Sequence, residues 1–222
     1  TRGVLKSSKG INVPHVNLKG SLITNRDKEM IKFAIENKVD FIGLSFIESG
    51  EHLIKIKNII KKQTPKVIAK VENQAGINNL KDIVINADCI MIDRGDLSTE
   101  TNIETLAINQ KKIISTCIKV SKPVIVATEM LDNMILSPYP TKAEVLDISN
   151  SILDGATATM LSGETAVGNF PVESIEVMSK IANKTMNHKN KINKMNQIQD
   201  YSEELGASTA IKSLCNYLPI SK

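Results

Sequence analysis

The sequence predicts an α/β fold in which short parallel strands alternate with helices. Short aliphatic runs recur at near-regular spacing along most of the chain, and a segment of helical periodicity follows each one. The 222 residues are 41% hydrophobic but only 3% aromatic, with no Trp, so the core has to be built from Ile, Val, Leu and Met. That composition suits parallel strands covered by helices on their faces.

The runs are Val39–Phe46, Lys66–Glu72, Cys89–Asp93, Pro123–Thr128 and Ala158–Ser162. Each is bounded by polar residues, as a buried strand should be. Helical patterns occupy Arg26–Asn37, Glu51–Lys62, Asn78–Ile85, Ile103–Val120, Ala143–Leu153 and Val172–Lys184. The clearest helix start is Thr141-x-x-Glu144, a capping box, and the same helix is expected to stop at Gly155. Repetition of strand, helix, strand implies right-handed βαβ units. Five such strands make an open sheet and cannot close an eight-stranded barrel by themselves.

Both ends depart from this pattern. The first fifteen residues have turn chemistry and little periodicity, and read as the tail of a preceding unit. Residues 187–206 open on a polar, low-complexity stretch that reads as a linker or frayed helix end. Residues 207–222 read as the opening helix of a further, incomplete domain.

Composition excludes several classes. The net charge is +4 with 23% charged residues, which demands neither disorder nor a polyanionic partner. The abundant Lys and Asn are not interleaved with stacking aromatics, so no nucleic-acid partner is expected. No apolar stretch reaches the roughly 18 residues of a membrane span, and no signal or transit segment is visible. Cys89, Cys117 and Cys215 are odd in number, widely spaced and set in apolar runs. They read as reduced, buried thiols of an intracellular protein. The cytoplasm is the expected compartment, with an organelle left open because a targeting peptide would lie upstream. The scattered His15, His52 and His188 are expected in loops or exposed helix, and the methionines as core filler.

Chemistry gathers at the strand ends, where βα folds collect functional groups. In order these carry Ser45-Phe46, Lys70 to Asn73, Asp93 to Asp96, Thr128-Glu129 and Ser162 to Thr165. Lys70 and Glu72 lie two apart on one strand and so share a face. With Asp96 from the next strand end, Glu72 makes a hard oxygen site suited to Mg²⁺ or Mn²⁺. Mg²⁺ takes few protein ligands, so the site implies an anionic, oxygen-rich substrate. Lys70 beside it suits negative charge developing on a phosphoryl group or an enolate. The plainer reading is an internal Lys70–Glu72 ion pair. Gly95 and Asp96 open a tight turn into a short helix whose amides suit an anion. Thr128 and Ser162 are candidate hydrogen-bond donors or members of a proton relay. No phosphate-loop motif is present.

The segments KVIAKVENQAG, MIDRGDL, PVIVATEMLDNMI, PTKAEVLDISNSILDGA and MLSGETAVGNFP follow one another in the order and spacing of pyruvate kinase, and the chain resembles that family along almost its whole length. The resemblance implies a partial TIM (β/α)8 barrel over residues 16–186, from the fourth strand to the eighth. Residues 1–15 would end the inserted cap domain, and 207–222 would begin the C-terminal domain after the 187–206 linker. It implies a glycolytic phosphotransferase that moves a phosphoryl group from phosphoenolpyruvate to ADP, giving pyruvate and ATP. Lys70, Thr128 and Ser162 would be catalytic. Lys70, Gly95, Asp96 and Thr128 would bind substrate, and Glu72 and Asp96 would hold the divalent cation. A homotetramer is also implied. The family's K⁺ ligands lie in segments before the fourth strand that these residues do not contain, so the 222 residues alone are expected to be inactive.

The sequence departs from the family pattern at four places. Asp93 stands where Ala is usual and Ser98 where Gly is usual. Glu48 stands near a usual Arg, and Lys142 replaces Arg in the Pro-Thr-x-Ala-Glu motif. Two alternatives therefore stay open. One is a degenerate, non-catalytic paralogue, and the other is a Mg²⁺-dependent aldolase or lyase of the phosphoenolpyruvate/pyruvate class.

Overall fold

The structure is a computed structural model that describes residues 23–61 and 64–191. The expectations for residues 1–15 and 207–222, and those for His15 and Cys215, lie outside the described residues. The element order is α1 (Asn25–Glu36), β1 (Phe41–Leu44), α2 (Gly50–Ile60), β2 (Lys66–Val71), α3 (Gln74–Asn78), α4 (Leu80–Asn86), β3 (Cys89–Asp93) and α5 (Arg94–Glu100). A 3₁₀ turn, Ile103–Thr105, leads into α6 (Leu106–Lys119), followed by β4 (Val124–Ala127) and a second 3₁₀ turn, Asp132–Ile135. Then come α7 (Lys142–Asp154), β5 (Ala158–Met160) and α8 (Gly163–Ala166). A last helix, α9, covers 171–191 and so runs into the stretch expected to be linker or frayed helix end.

The strands form one five-stranded parallel sheet in the order β1-β2-β3-β4-β5. This is the α/β architecture of a barrel segment, with β1 and β5 as the sheet edges among the described residues. Burial rises toward the centre. All five residues of β3 are buried, whereas β1 and β5 contain no buried residue. On β2 the alternation is clean. Val67, Ala69 and Val71 are fully buried, while Ile68 and Lys70 face the other way and stay partly open. The buried face packs with Leu53, Ile56 and Ile60 of α2 and Ile83 and Val84 of α4 into one aliphatic cluster.

Local signals explain the element ends. Thr141 caps α7 reciprocally with Glu144, and Gly155 ends it at φ 111°. A Cβ at Gly155 would lie 2.6 Å from Ile118 Cδ1, so left-handed backbone and tight packing both call for glycine. A second capping box, Thr24 with Asp27, starts α1. The helix expected over Asn78–Ile85 is α4, and an additional short helix, α3, precedes it, with Asn73 capping α3 by accepting the Gly76 N–H. His52 corrects the expectation of exposure. It is 8% exposed in α2, on the face turned to the core. No described helix is long and apolar enough to cross a membrane.

Candidate functional site

The C-terminal ends of β2, β3 and β4 bring together Lys70, Glu72, Asp93, Gly95, Asp96 and Thr128. Adjacent parallel strands in register make this possible: Lys70 pairs with Met91 and Asp93 with Ala127, so the residues just beyond them emerge at one rim. Lys70 Nζ lies 2.6 Å from Glu72 Oε1, 2.9 Å from Asp93 Oδ2 and 3.3 Å from Ser45 Oγ, to which it donates. Glu72 is completely buried, and its Oε2 accepts the Phe46 N–H. Burial raises the Glu72 pKa against the pull of Lys70 and the Phe46 amide, and the Asp93 charge adds a smaller push in the same direction. For Lys70, burial favours the neutral amine, but hydrogen bonds and charge from Glu72 and Asp93 outweigh it and raise the pKa. Lys70 therefore stays an ammonium at neutral pH.

The loops after β3 and β4 are tied together. Gly95 N–H donates to Thr128 Oγ1 at 2.8 Å, and the Thr128 hydroxyl lies within hydrogen-bond reach of Asp93 Oδ1 (3.2 Å) and of the Ala127 carbonyl (2.6 Å). Thr128 and Glu129 both have left-handed backbone, at φ 68° and 53°, which is costly for non-glycine residues. Arg94 holds them there. Its guanidinium donates to Thr128 O through Nε and Nη2, to Glu129 O at 2.7 Å, and to Asp147 of α7. Only 6% of Arg94 is exposed.

Ser162 is not drawn into this cluster by any described contact. Its amide donates to Glu164 Oε2, and Glu164, almost fully buried, also accepts Leu131 N–H. The expected polar turn after β5 is thus organised by its carboxylate, which staples α8 to the loop after β4. Glu48, flagged as a departure, accepts a hydrogen bond from Asn73, the residue capping α3. A cavity of about 440 Å³ lies along β1 between α1 and α2 and reaches Ser45, the hydroxyl beside Lys70. Its lining carries one carboxylate, Asp27, so the convergent carboxylates are those of the rim.

Comparison with known proteins decides the family. The family model described as "Pyruvate kinase, barrel domain" matches residues 1–175. The chain belongs to the pyruvate kinase family. It is 47% identical over 208 residues to a pyruvate kinase of Thermococcus litoralis, covering 93% of this chain and 41% of the relative. It is 43% identical to one of Clostridium perfringens, with 82% of this chain and 39% of the relative covered. A third, from Bacillus licheniformis, is 42% identical over 84% of this chain and 33% of its own length. The chain therefore spans about two fifths or less of these pyruvate kinases.

A pyruvate kinase implies a divalent cation, and the residues present fit one. Glu72, Asp93 and Asp96 each offer an oxygen, and these atoms lie within 4.8 Å of one another. Glu72 Oε1 is buried and receives no hydrogen bond of ordinary geometry, although the Lys70 ammonium is beside it. An all-carboxylate donor set is hard, as Mg²⁺ or Mn²⁺ requires. Sequence alone marks Asp93 as an added charge and assigns Arg94 no role. An Arg directly after a fully buried strand is the available signal, since a charge there has to find partners.

Proposed function

We propose that this chain carries the metal-binding and phosphoryl-transfer half of a pyruvate kinase site, acting on phosphoenolpyruvate and ADP. The observation that carries the reading is Lys70, a protonated amine held between buried carboxylates at a strand rim. Loss of the phosphoryl group leaves an enolate oxygen. A fixed ammonium at that point lowers the energy of both the transferring group and the enolate. Because its pKa is raised, Lys70 serves as a standing charge, and the proton that converts enolpyruvate to pyruvate comes from another group. Ser162 and its turn are assigned to that polar network.

Glu72 and Asp96 would hold Mg²⁺, which when bound supplies Lewis-acid polarisation of substrate oxygens. Thr128 and the Gly95–Asp96 turn would orient the substrate carboxylate. The Gly95 amide is satisfied by Thr128 Oγ1, so Gly95 acts first by fixing that hydroxyl. K⁺ would be held by segments outside these residues. The 222 residues alone are accordingly expected to show no turnover.

The test is pyruvate formation from phosphoenolpyruvate and ADP with Mg²⁺ and K⁺, using the longest native product of the gene. ADP-dependent turnover that collapses in Lys70→Met supports the reading. A folded, complete chain without turnover would sink it in favour of a non-catalytic paralogue.

A further inference from the structure

Asp93 does two things at once. Its Oδ2 lies 2.9 Å from Lys70 Nζ, and its Oδ1 is 3.2 Å from the Thr128 hydroxyl. These are the two groups assigned above to the anionic parts of the substrate. A carboxylate that reaches both a cation and a hydroxyl imitates the carboxylate or phosphoryl oxygen of a ligand. Asp93 is held for this role by its position as the last residue of β3, where it is 8% exposed and cannot swing freely into water.

The charges at the rim explain why such an arrangement is stable and when it should end. Two carboxylates, Glu72 and Asp93, share one ammonium, Lys70, and an Asp96 oxygen lies within 4.8 Å of theirs. Without a cation the ammonium is shared by Glu72 and Asp93, and an incoming anion meets excess negative charge in a partly buried place. Were Glu72, Asp93 and Asp96 to turn toward a divalent cation, Lys70 and Thr128 would be released.

We propose that Asp93 is a built-in competitor for the substrate anion, occupying Lys70 and Thr128 until the carboxylates are drawn onto a divalent cation. The inference rests on the reading of this rim as the phosphoenolpyruvate and metal site, and it adds the order of events. Cation binding precedes anion binding because Asp93 blocks the reverse order.

Calorimetric titration with oxalate, a planar dianion shaped like the pyruvate enolate, tests this on the longest native chain. Titrations are run with EDTA and with Mn²⁺, and Mn²⁺ affinity is read separately by electron paramagnetic resonance. The parent should bind oxalate only with Mn²⁺. Asp93→Ala and the near-isosteric Asp93→Asn should gain oxalate binding in EDTA by tenfold or more and lose Mn²⁺ affinity. Asp93→Glu should restore the cation requirement. If either neutral variant keeps the parent's full dependence on Mn²⁺, the role of Asp93 is wrong while the site reading stands. If the parent itself fails to bind oxalate with Mn²⁺, the reading of the rim fails, and the inference with it.

Discussion

Arg94, the first residue of α5, is ion-paired with Asp147 in the middle of α7 while its other donors grip the loop after β4. One side chain thereby fixes the distance between two helices and the conformation of Thr128 and Glu129. Replacing Arg94 by Met leaves two backbone carbonyls and a carboxylate short of donors, and should cost about 3 kcal/mol. Urea unfolding measures it. Arg94→Lys should recover little, because an ammonium lacks the planar fork that serves Thr128 O, Glu129 O and Asp147 together. Full recovery by lysine would show that charge alone matters there.

Thr128 is expected to matter through its hydroxyl. Thr128→Ala removes the acceptor of Gly95 N–H, worth about 1 kcal/mol of stability. Oxalate binding in the presence of Mn²⁺ should weaken about tenfold, the factor that about 1.4 kcal/mol corresponds to. Thr128→Ser should restore both, and titration calorimetry beside thermal melts separates them. Equal loss in Ser and Ala variants would point to the methyl group instead.

Much of this architecture was legible in the residues. The strand Cys89–Asp93 is legible to the residue because charged Asp88 and Arg94 flank it and four apolar residues fill it up to Asp93. The α7 boundaries followed from Thr141, Glu144 and Gly155, which act through local backbone chemistry. What escaped was set by distant partners. The five-residue α3 is too short to show a period, and its flanking residues Asn73 and Asn79 are fixed by distant hydrogen bonds to Glu48. His52 is a polar residue type and so is expected outside, yet it stands four and eight residues before Ile56 and Ile60 on the buried face of α2. Arg94 could be marked as odd from sequence, but its acceptors lie on β4 and α7 and no spacing rule names them.

At the opposite end of the strands, Asp88 accepts hydrogen bonds from Lys57 Nζ and from Val67 N–H, each at 2.8 Å. Burial pushes its pKa up, but those hydrogen bonds and the positive charges of Lys57 and Lys122 prevail and lower it. A lowered folded pKa means the contribution is complete above the unfolded value of about 3.9 and is lost as pH falls through the folded one. Asp88→Asn should therefore be less stable than the parent at pH 6, and the gap should close below about pH 4. With the Asp88 side chain 34% exposed, solvent screening holds the ion-pair part under about 1 kcal/mol. A gap that stays constant down to pH 2 would contradict this assignment.

Cys117 is fully buried in α6, and burial pushes its thiol pKa up to about 12. Cys89 is shifted in the same direction by the same cause. Iodoacetamide at pH 8 should leave Cys117 unlabelled in the native protein and label it once denaturant is added. Peptide mapping by mass spectrometry reads both states. Rapid native labelling of Cys117 would mean that α6 opens locally far more often than its core contacts suggest.

Spatial order in the sheet is the same as order along the chain. Each strand lies beside the one made just before it, and none is inserted between two that already pair. Among the described strands, each new one therefore finds its preceding neighbour already in place during synthesis, with a helix's length of chain to reach it. Growth of this kind never reopens a finished ladder. It also confines a register error to the unit being added, so vectorial emergence from the ribosome and the final hydrogen-bond pattern impose the same sequence of steps.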